Sequence, residues 1–160
     1  MIDFAKKIGE IAIKNNLTIS CAESCTGGLV SSLLTDVSGS SGYIKINFVT
    51  YANEAKMQFA NVRKETLDKY GAVSEQTSRE MAQGVLKYST IGISSTGIAG
   101  PTGGSVEKPV GLMYVSVAGK NFCETKKVVL LSEIERIQMK KDFTKEVLKF
   151  ALEVLEKYYR

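Results

Sequence analysis

Two apolar runs in this chain each break into a stretch of small residues and glycine. Residues 17–21 lead into Ala22-Glu23-Ser24-Cys25-Thr26-Gly27-Gly28, and residues 91–95 lead into the loop 96–104. A buried strand that hands over to a glycine-rich loop constrains the fold strongly. It points to an open α/β sheet, where ligands collect at the C-terminal ends of strands. Two such handovers predict two loops facing one crevice.

The rest of the pattern fits that frame. Helical spacing of Phe4, Ile8, Ile11 and Ala12 predicts a helix over 3–15 with Asp3 as a possible N-cap. Gly27 and Gly28 open a second helix that runs to about Thr35, and Gly39-Ser40-Ser41-Gly42 is a loop. Residues 43–51 alternate like a strand; 52–59 and 64–70 read as helices, the latter stopped by Gly71. A helix over 74–88 starts at Ser74 as its cap. Residues 111–118 and 122–131 form a hairpin around Gly119-Lys120-Asn121, and 132–159 is a long amphipathic helix. Helices and strands that alternate, with one late hairpin, predict an α/β/α three-layer sandwich with a mixed sheet, a single domain over 1–160.

The formal charge of +4 is modest, and its lysines are scattered rather than gathered in a stripe with aromatics. That argues against nucleic acid as a partner and leaves only a weak bias toward anionic small molecules. No stretch approaches the roughly 18 apolar residues a membrane span needs, and no leader pattern is present. The expected setting is cytoplasmic, with no membrane partner. The three cysteines have no framework spacing, and the chain has no histidine, so a zinc site would need carboxylates to complete it. No metal is expected, and Cys21 and Cys123 read as small buried residues in strands.

Three segments carry candidate chemistry. In the first, Ser24, Cys25 and Thr26 precede two glycines; the hydroxyls either cap the next helix or face a ligand beside free N–H groups. Without histidine the usual serine triad is excluded, and the segment is not Gly-x-Ser-x-Gly. Lys56 is then the candidate base for Ser24. It follows Tyr51 by about a turn and a half of helix, and the alternative is an ordinary solvated lysine. In the third segment, interleaved hydroxyls and glycines from Ser94 to Ser105 either let backbone approach an anion or form a flexible connection. It is neither a Walker loop nor Gly-x-Gly-x-x-Gly. Lys108, just beyond, could add charge to a phosphate site.

Taken together, Ala22-Glu23-Ser24-Cys25-Thr26-Gly27-Gly28, Gly39-Ser40-Ser41, Val49-Thr50-Tyr51-Ala52-Asn53-Glu54-Ala55-Lys56, Gly71-Ala72-Val73-Ser74-Glu75, Gly97-Ile98-Ala99-Gly100-Pro101 and Lys108-Pro109-Val110-Gly111 resemble, in order, the CinA C-terminal domain family. The resemblance runs from the first helix to the last. It implies nicotinamide mononucleotide (NMN) amidohydrolase activity through an acyl-enzyme, with Ser24 as nucleophile, Lys56 as general base and Tyr51 assisting proton transfer. It further implies that Thr26, Gly27, Gly28, Thr96, Gly97, Gly100, Gly103, Gly104 and Lys108 surround the substrate. N–H groups near Thr26-Gly27 or Thr96-Gly97 would then hold the oxyanion. No cofactor is implied, and a homodimer is.

Two departures from the family stand out. Many members carry a large N-terminal domain resembling molybdopterin-binding proteins, with pyrophosphatase activity; the chain lacks it, so that activity is not expected. The family also places an arginine early in the last helix, near Ile134 here, and Arg136 is the candidate substitute. A lysine that must be neutral also predicts that Glu23 and Glu54 face away from its amine. The competing reading is a non-catalytic nucleotide-binding or regulatory module on the same fold. A phosphotransferase is disfavoured by the absence of a Walker loop or a magnesium-binding carboxylate cluster.

Overall fold

A computed structural model describes residues 1–159. The sheet has five strands in the order β2-β1-β3-β4-β5: β1 (Ile19–Glu23), β2 (Ile44–Val49), β3 (Ile91–Gly97), β4 (Leu112–Gly119) and β5 (Phe122–Val129). β1 is parallel to both β2 and β3, and β4 and β5 add antiparallel edges, so the sheet is mixed as expected. Helices α1 (Ile2–Lys14), α2 (Leu29–Thr35) and α6 (Arg136–Tyr159) pack together on one face. Helices α3 (Asn53–Ala60), α4 (Lys64–Tyr70) and α5 (Glu75–Gly84) pack on the other. The three-layer sandwich is therefore present.

The larger apolar core joins Ile19, Cys21, Ile93, Val115 and Val117 to Ile8, Phe143 and Leu148 of the α1 and α6 layer. The second is smaller and joins Ala22 to Ala60, Met81 and Val85. β1 is buried along its whole length because helices cover both of its faces, which is why it reads as an apolar run without alternation.

Several boundaries move, each for a local reason. β1 starts two residues later than expected because Leu17 closes α1 instead: its N–H donates to Ala12 O at 2.8 Å, and Asn16 N–H to Ile13 O at 3.3 Å, around Asn16 at φ 53°. That is a Schellman cap, with Leu17 supplying the apolar contact that follows it. At the other end β1 runs on through Ala22 and Glu23, paired with β2 and β3. α1 begins at Met1 as cap, with Asp3 inside the first turn rather than capping. Ser74 caps α5 as expected, its Oγ accepting from Thr77 N–H. The helix then stops at Gly84 and tightens into a 3-10 turn over Val85–Lys87. At Gly84 a Cβ would lie 1.7 Å from Ala60 O, so only glycine lets the end of α3 approach α5 this closely. The hairpin turns on Lys120 and Asn121, with Gly119 paired to Phe122. α6 starts at Arg136, four residues later than expected, and this places Arg136 at the head of the helix. Cys21 is buried in β1 as expected, whereas Cys123 on edge strand β5 is only half-buried.

Among the described residues, no helix is long and apolar enough to cross a membrane, and no group of three His, Cys, Asp or Glu side chains is placed to hold a metal ion.

Candidate active site

The two strand-to-loop handovers do meet. Ser24 follows β1 directly and is joined to the neighbouring strand by its N–H, which donates to Ser95 O at 2.9 Å. The register of β1 against β2 pairs Glu23 with Val49 and so brings the start of α3 beside Ser24. Lys56 lies inside that first stretch of α3 with only 1% of its surface exposed. Its Nζ is 3.1 Å from Ser24 Oγ, 2.8 Å from Thr50 O and 3.2 Å from Tyr51 O. Burial lowers the Lys56 pKa to about 8, opposed in part by the adjacent Cys25. Low polarity disfavours the charged ammonium, and no carboxylate is placed to offset that.

Glu23 and Glu54 do face elsewhere. Glu54 is exposed. The Glu23 carboxylate is buried under the start of α2, where it accepts from the N–H groups of Gly28, Val30 and Ser31. The helix is thus capped by an acid from the preceding strand, not by Ser24 or Thr26 as the capping alternative had it. Freed from that duty, Ser24 turns toward Lys56. Cys25, its neighbour, is buried, and its thiol is pushed up to about 12, chiefly by burial. It stays protonated and is a poor nucleophile.

Ser24, Lys56 and Tyr51 line one open cavity of about 260 Å³. Thr96, Gly97, Gly100 and Gly103 line it from the second loop. Other predicted residues sit outside that lining. Thr26 is fully buried, its hydroxyl shared between Glu23 Oε2 and Ser95 Oγ, each at 2.7 Å. Gly27, at φ 60°, turns its α-carbon toward α6, where a Cβ would meet Lys140 Nζ at 3.0 Å. Its N–H donates to Ser24 O. Gly28 faces Val49, Gly104 packs on Val110, and the Lys108 amine donates to Tyr70 O.

Several contributions were not assigned from sequence, Ile98, Ala99 and Thr102 of the second loop among them. Ala72 and Val73, from the turn between α4 and α5, line the cavity, and Ala72 O accepts from Thr96 Oγ1 at 2.6 Å. Arg136, named only as a substitute, reaches it from the head of α6. Its guanidinium donates to Gly100 O at 2.6 Å and to the Tyr51 hydroxyl at 2.8 Å. The Tyr51 phenol is therefore held by Arg136, while Tyr51 meets Lys56 through its backbone carbonyl. Lys56 and Arg136 are the charged side chains of the lining, which carries no carboxylate. An electropositive cleft with a desolvated amine on a serine hydroxyl can bind an anion and activate a nucleophile beside it.

The sequence profile of the CinA C-terminal domain matches residues 2–157. A CinA-like protein of Desulforapulum autotrophicum is 53% identical over 124 residues, which is 76% of this chain and 29% of that protein. A CinA-like protein of Endomicrobium trichonymphae is 44% identical over 155 residues, 96% of this chain and 35% of that one. The chain thus spans about a third of the length of these curated relatives. The crystal structure of competence/damage inducible protein CihA from Agrobacterium tumefaciens superposes with a TM-score of 0.91 at 37% identity, covering 97% of this chain and 94% of that one. The competence damage-inducible protein A (ComA) of Klebsiella pneumoniae gives a TM-score of 0.91 at 26% identity, covering 98% of each chain.

Proposed function

The chain belongs to the CinA C-terminal domain family, and on that premise we propose that it is an amidohydrolase that converts NMN to nicotinic acid mononucleotide and ammonia. The observation that carries the reading is the buried Lys56 amine on the Ser24 hydroxyl, held from behind by two backbone carbonyls. A neutral amine has two N–H groups and one lone pair. Thr50 O and Tyr51 O take the N–H groups, which leaves the lone pair to accept the Ser24 proton. The geometry favours a base, and the lowered pKa makes the neutral form available near neutral pH.

Ser24 Oγ attacks the carboxamide carbon as its proton passes to Lys56. The tetrahedral adduct then collapses: its C–N bond breaks, and Lys56 returns the proton to the departing nitrogen, which leaves as ammonia. Water, deprotonated by the same amine, opens the acyl-enzyme and restores Ser24. The Gly27 N–H is already engaged and Thr26 is buried outside the cavity, so the oxyanion falls to the end of β3 at Thr96-Gly97. The Tyr51 hydroxyl accepts from Arg136 and keeps its own proton to donate into the cavity, which suits the assisting role. Arg136 supplies the charge-assisted grip on the phosphate, with Gly100 and Gly103 close by. A homodimer, read by light scattering, is part of the same proposal.

The experiment is ammonia release from NMN by the protein and by Lys56→Arg. A guanidinium keeps the charge but cannot accept the proton, so activity should fall by about 10³-fold. Binding of NMN with no ammonia from the parent protein would move the chain to the non-catalytic module.

A further inference from the structure

The Glu23 carboxylate accepts five hydrogen bonds, and none of them comes from the proposed reacting groups. It accepts from Thr26 Oγ1, Gly28 N–H and Val30 N–H on one oxygen, and from Ser31 N–H and Ser31 Oγ on the other. All five partners belong to the turn that follows Ser24 and the helix it enters. The same residue holds the other side of the site through its backbone: Glu23 O accepts from Thr50 N–H at 2.7 Å and from Thr50 Oγ1 at 3.3 Å. Thr50 O in turn takes the Lys56 amine at 2.8 Å.

The geometry points to Glu23 as the positioning residue of this site: its side chain sets the Ser24 turn, its carbonyl sets the Thr50 support of Lys56, and together they hold the serine hydroxyl against the amine. Burying a charged group is unfavourable unless it is fully hydrogen-bonded, so a side chain with only 1% exposure and five donors commits the turn to one conformation. The carboxylate does this without approaching the amine, which stays free of a countercharge that would keep it protonated. An acid one residue from the nucleophile is thereby used for shape and kept out of the proton chemistry.

Glutamine is nearly isosteric and still cannot replace it. Each carboxylate oxygen faces at least one backbone N–H, so the amide nitrogen of glutamine would set donor against donor whichever way it is turned. The turn would relax, and Ser24 would leave the amine. Arg136 and the 96–103 loop, which face the substrate, would be untouched.

This role rests on the Ser24–Lys56 reading but not on NMN as substrate, and the test separates the two. Ser24 is labelled with phenylmethanesulfonyl fluoride: the serine oxygen bonds to sulfur, the S–F bond breaks, fluoride leaves, and Lys56 takes the proton. The rate constant and stoichiometry are read by mass spectrometry, alongside kcat and KM for NMN. For Glu23→Gln the labelling rate constant and kcat should each fall at least tenfold, with KM within about twofold and labelling still reaching one per chain. A merely structural role would lower the labelled fraction and leave the rate constant of the remaining sites unchanged. Should Glu23→Gln fail to fold, Ser31→Ala removes one donor only, and a drop of a few-fold in the labelling rate constant is expected. Labelling at the parent rate constant in either folded variant overturns the proposal. A parent protein that labels but releases no ammonia from NMN overturns the proposed substrate, and the labelling rates alone then decide for Glu23.

Discussion

The turn after β1 and the loop after β3 are both rich in glycine and small hydroxyls, yet the protein uses them in opposite ways. In the first, Ser24, Cys25 and Thr26 are buried, and the turn is bonded to Glu23, to Ser95 and to itself. In the second, residues 101–107 are exposed, and Val106 is fully so. That loop is fastened at a few points: Arg136 to Gly100 O, Lys108 to Tyr70 O, and a turn between Ser105 and Lys108. The difference teaches that similar composition conceals two tasks. A nucleophile must be held within a fraction of an ångström of its base, whereas a loop that receives a substrate needs accessible backbone and room to adjust.

The sharpest way to break this comparison is to remove the group the first turn exists to hold. Ser24→Ala should lower NMN hydrolysis by about 10³-fold or more, with the thermal transition little changed, because a small hydroxyl adds little to packing. Cys25→Ser, one residue away, should stay active, since burial pushes the thiol up to about 12 and leaves it a poor nucleophile. Loss of activity only in Cys25→Ser would hand the nucleophile role to the thiol.

Arg136→Ala probes the place where the mouth of the cavity joins both regions. Losing a charge-assisted hydrogen bond to the phosphate costs about 1.5–3 kcal/mol, so KM for NMN should rise by roughly 10- to 100-fold while kcat changes less. An unchanged KM would remove Arg136 from substrate binding.

Holding a desolvated lysine in the first region also has a cost in stability, and its pH dependence has a definite sign. The folded-state pKa of Lys56 is lowered to about 8 from 10.5. Between those values the unfolded chain binds the proton and the folded chain does not, so stability increases with pH across that window. The penalty below pH 8 is about 3 kcal/mol. Denaturant unfolding of Lys56→Met beside the parent should therefore show the variant's relative stability falling by that order between pH 8 and 10.5. A difference independent of pH would mean that the amine is not desolvated.

The mildest effect is expected in the second region. Lys108→Met removes a tether to Tyr70 O, not a cavity group, and kcat/KM for NMN should stay within about twofold. A tenfold rise in KM would put Lys108 back on the phosphate.

Most of the layered fold was legible because its strands are short apolar runs and its helices carry clear apolar stripes. The site was legible in its ingredients but not in its assembly. Ser24 and Lys56 are 32 residues apart, and they meet through the register of β1 on β2, which no local pattern displays. Capping of α2 by Ser24 or Thr26 was the alternative to a ligand-facing role, because small hydroxyl residues next to a helix usually serve; the long side chain of Glu23 reaches further and takes the position. Arg136 looked displaced from the family position near Ile134, and the later start of α6 is what carries it into the cavity. Lys108 sits beside the cavity in sequence, but its amine is drawn to the carbonyl at the end of α4, where helix carbonyls lack internal partners.

The central claim is that a neutral Lys56 takes the Ser24 proton. Its most direct test is the pH dependence of the rate constant for Ser24 labelling by phenylmethanesulfonyl fluoride in the parent protein. Cys25, the titratable group adjacent to the amine, stays protonated through the relevant range. The account predicts a rate that rises about tenfold per pH unit at low pH and levels off above a midpoint near 8, where burial sets the Lys56 amine. A rate that keeps rising into the range of an ordinary exposed lysine, with no inflection near 8, would contradict it.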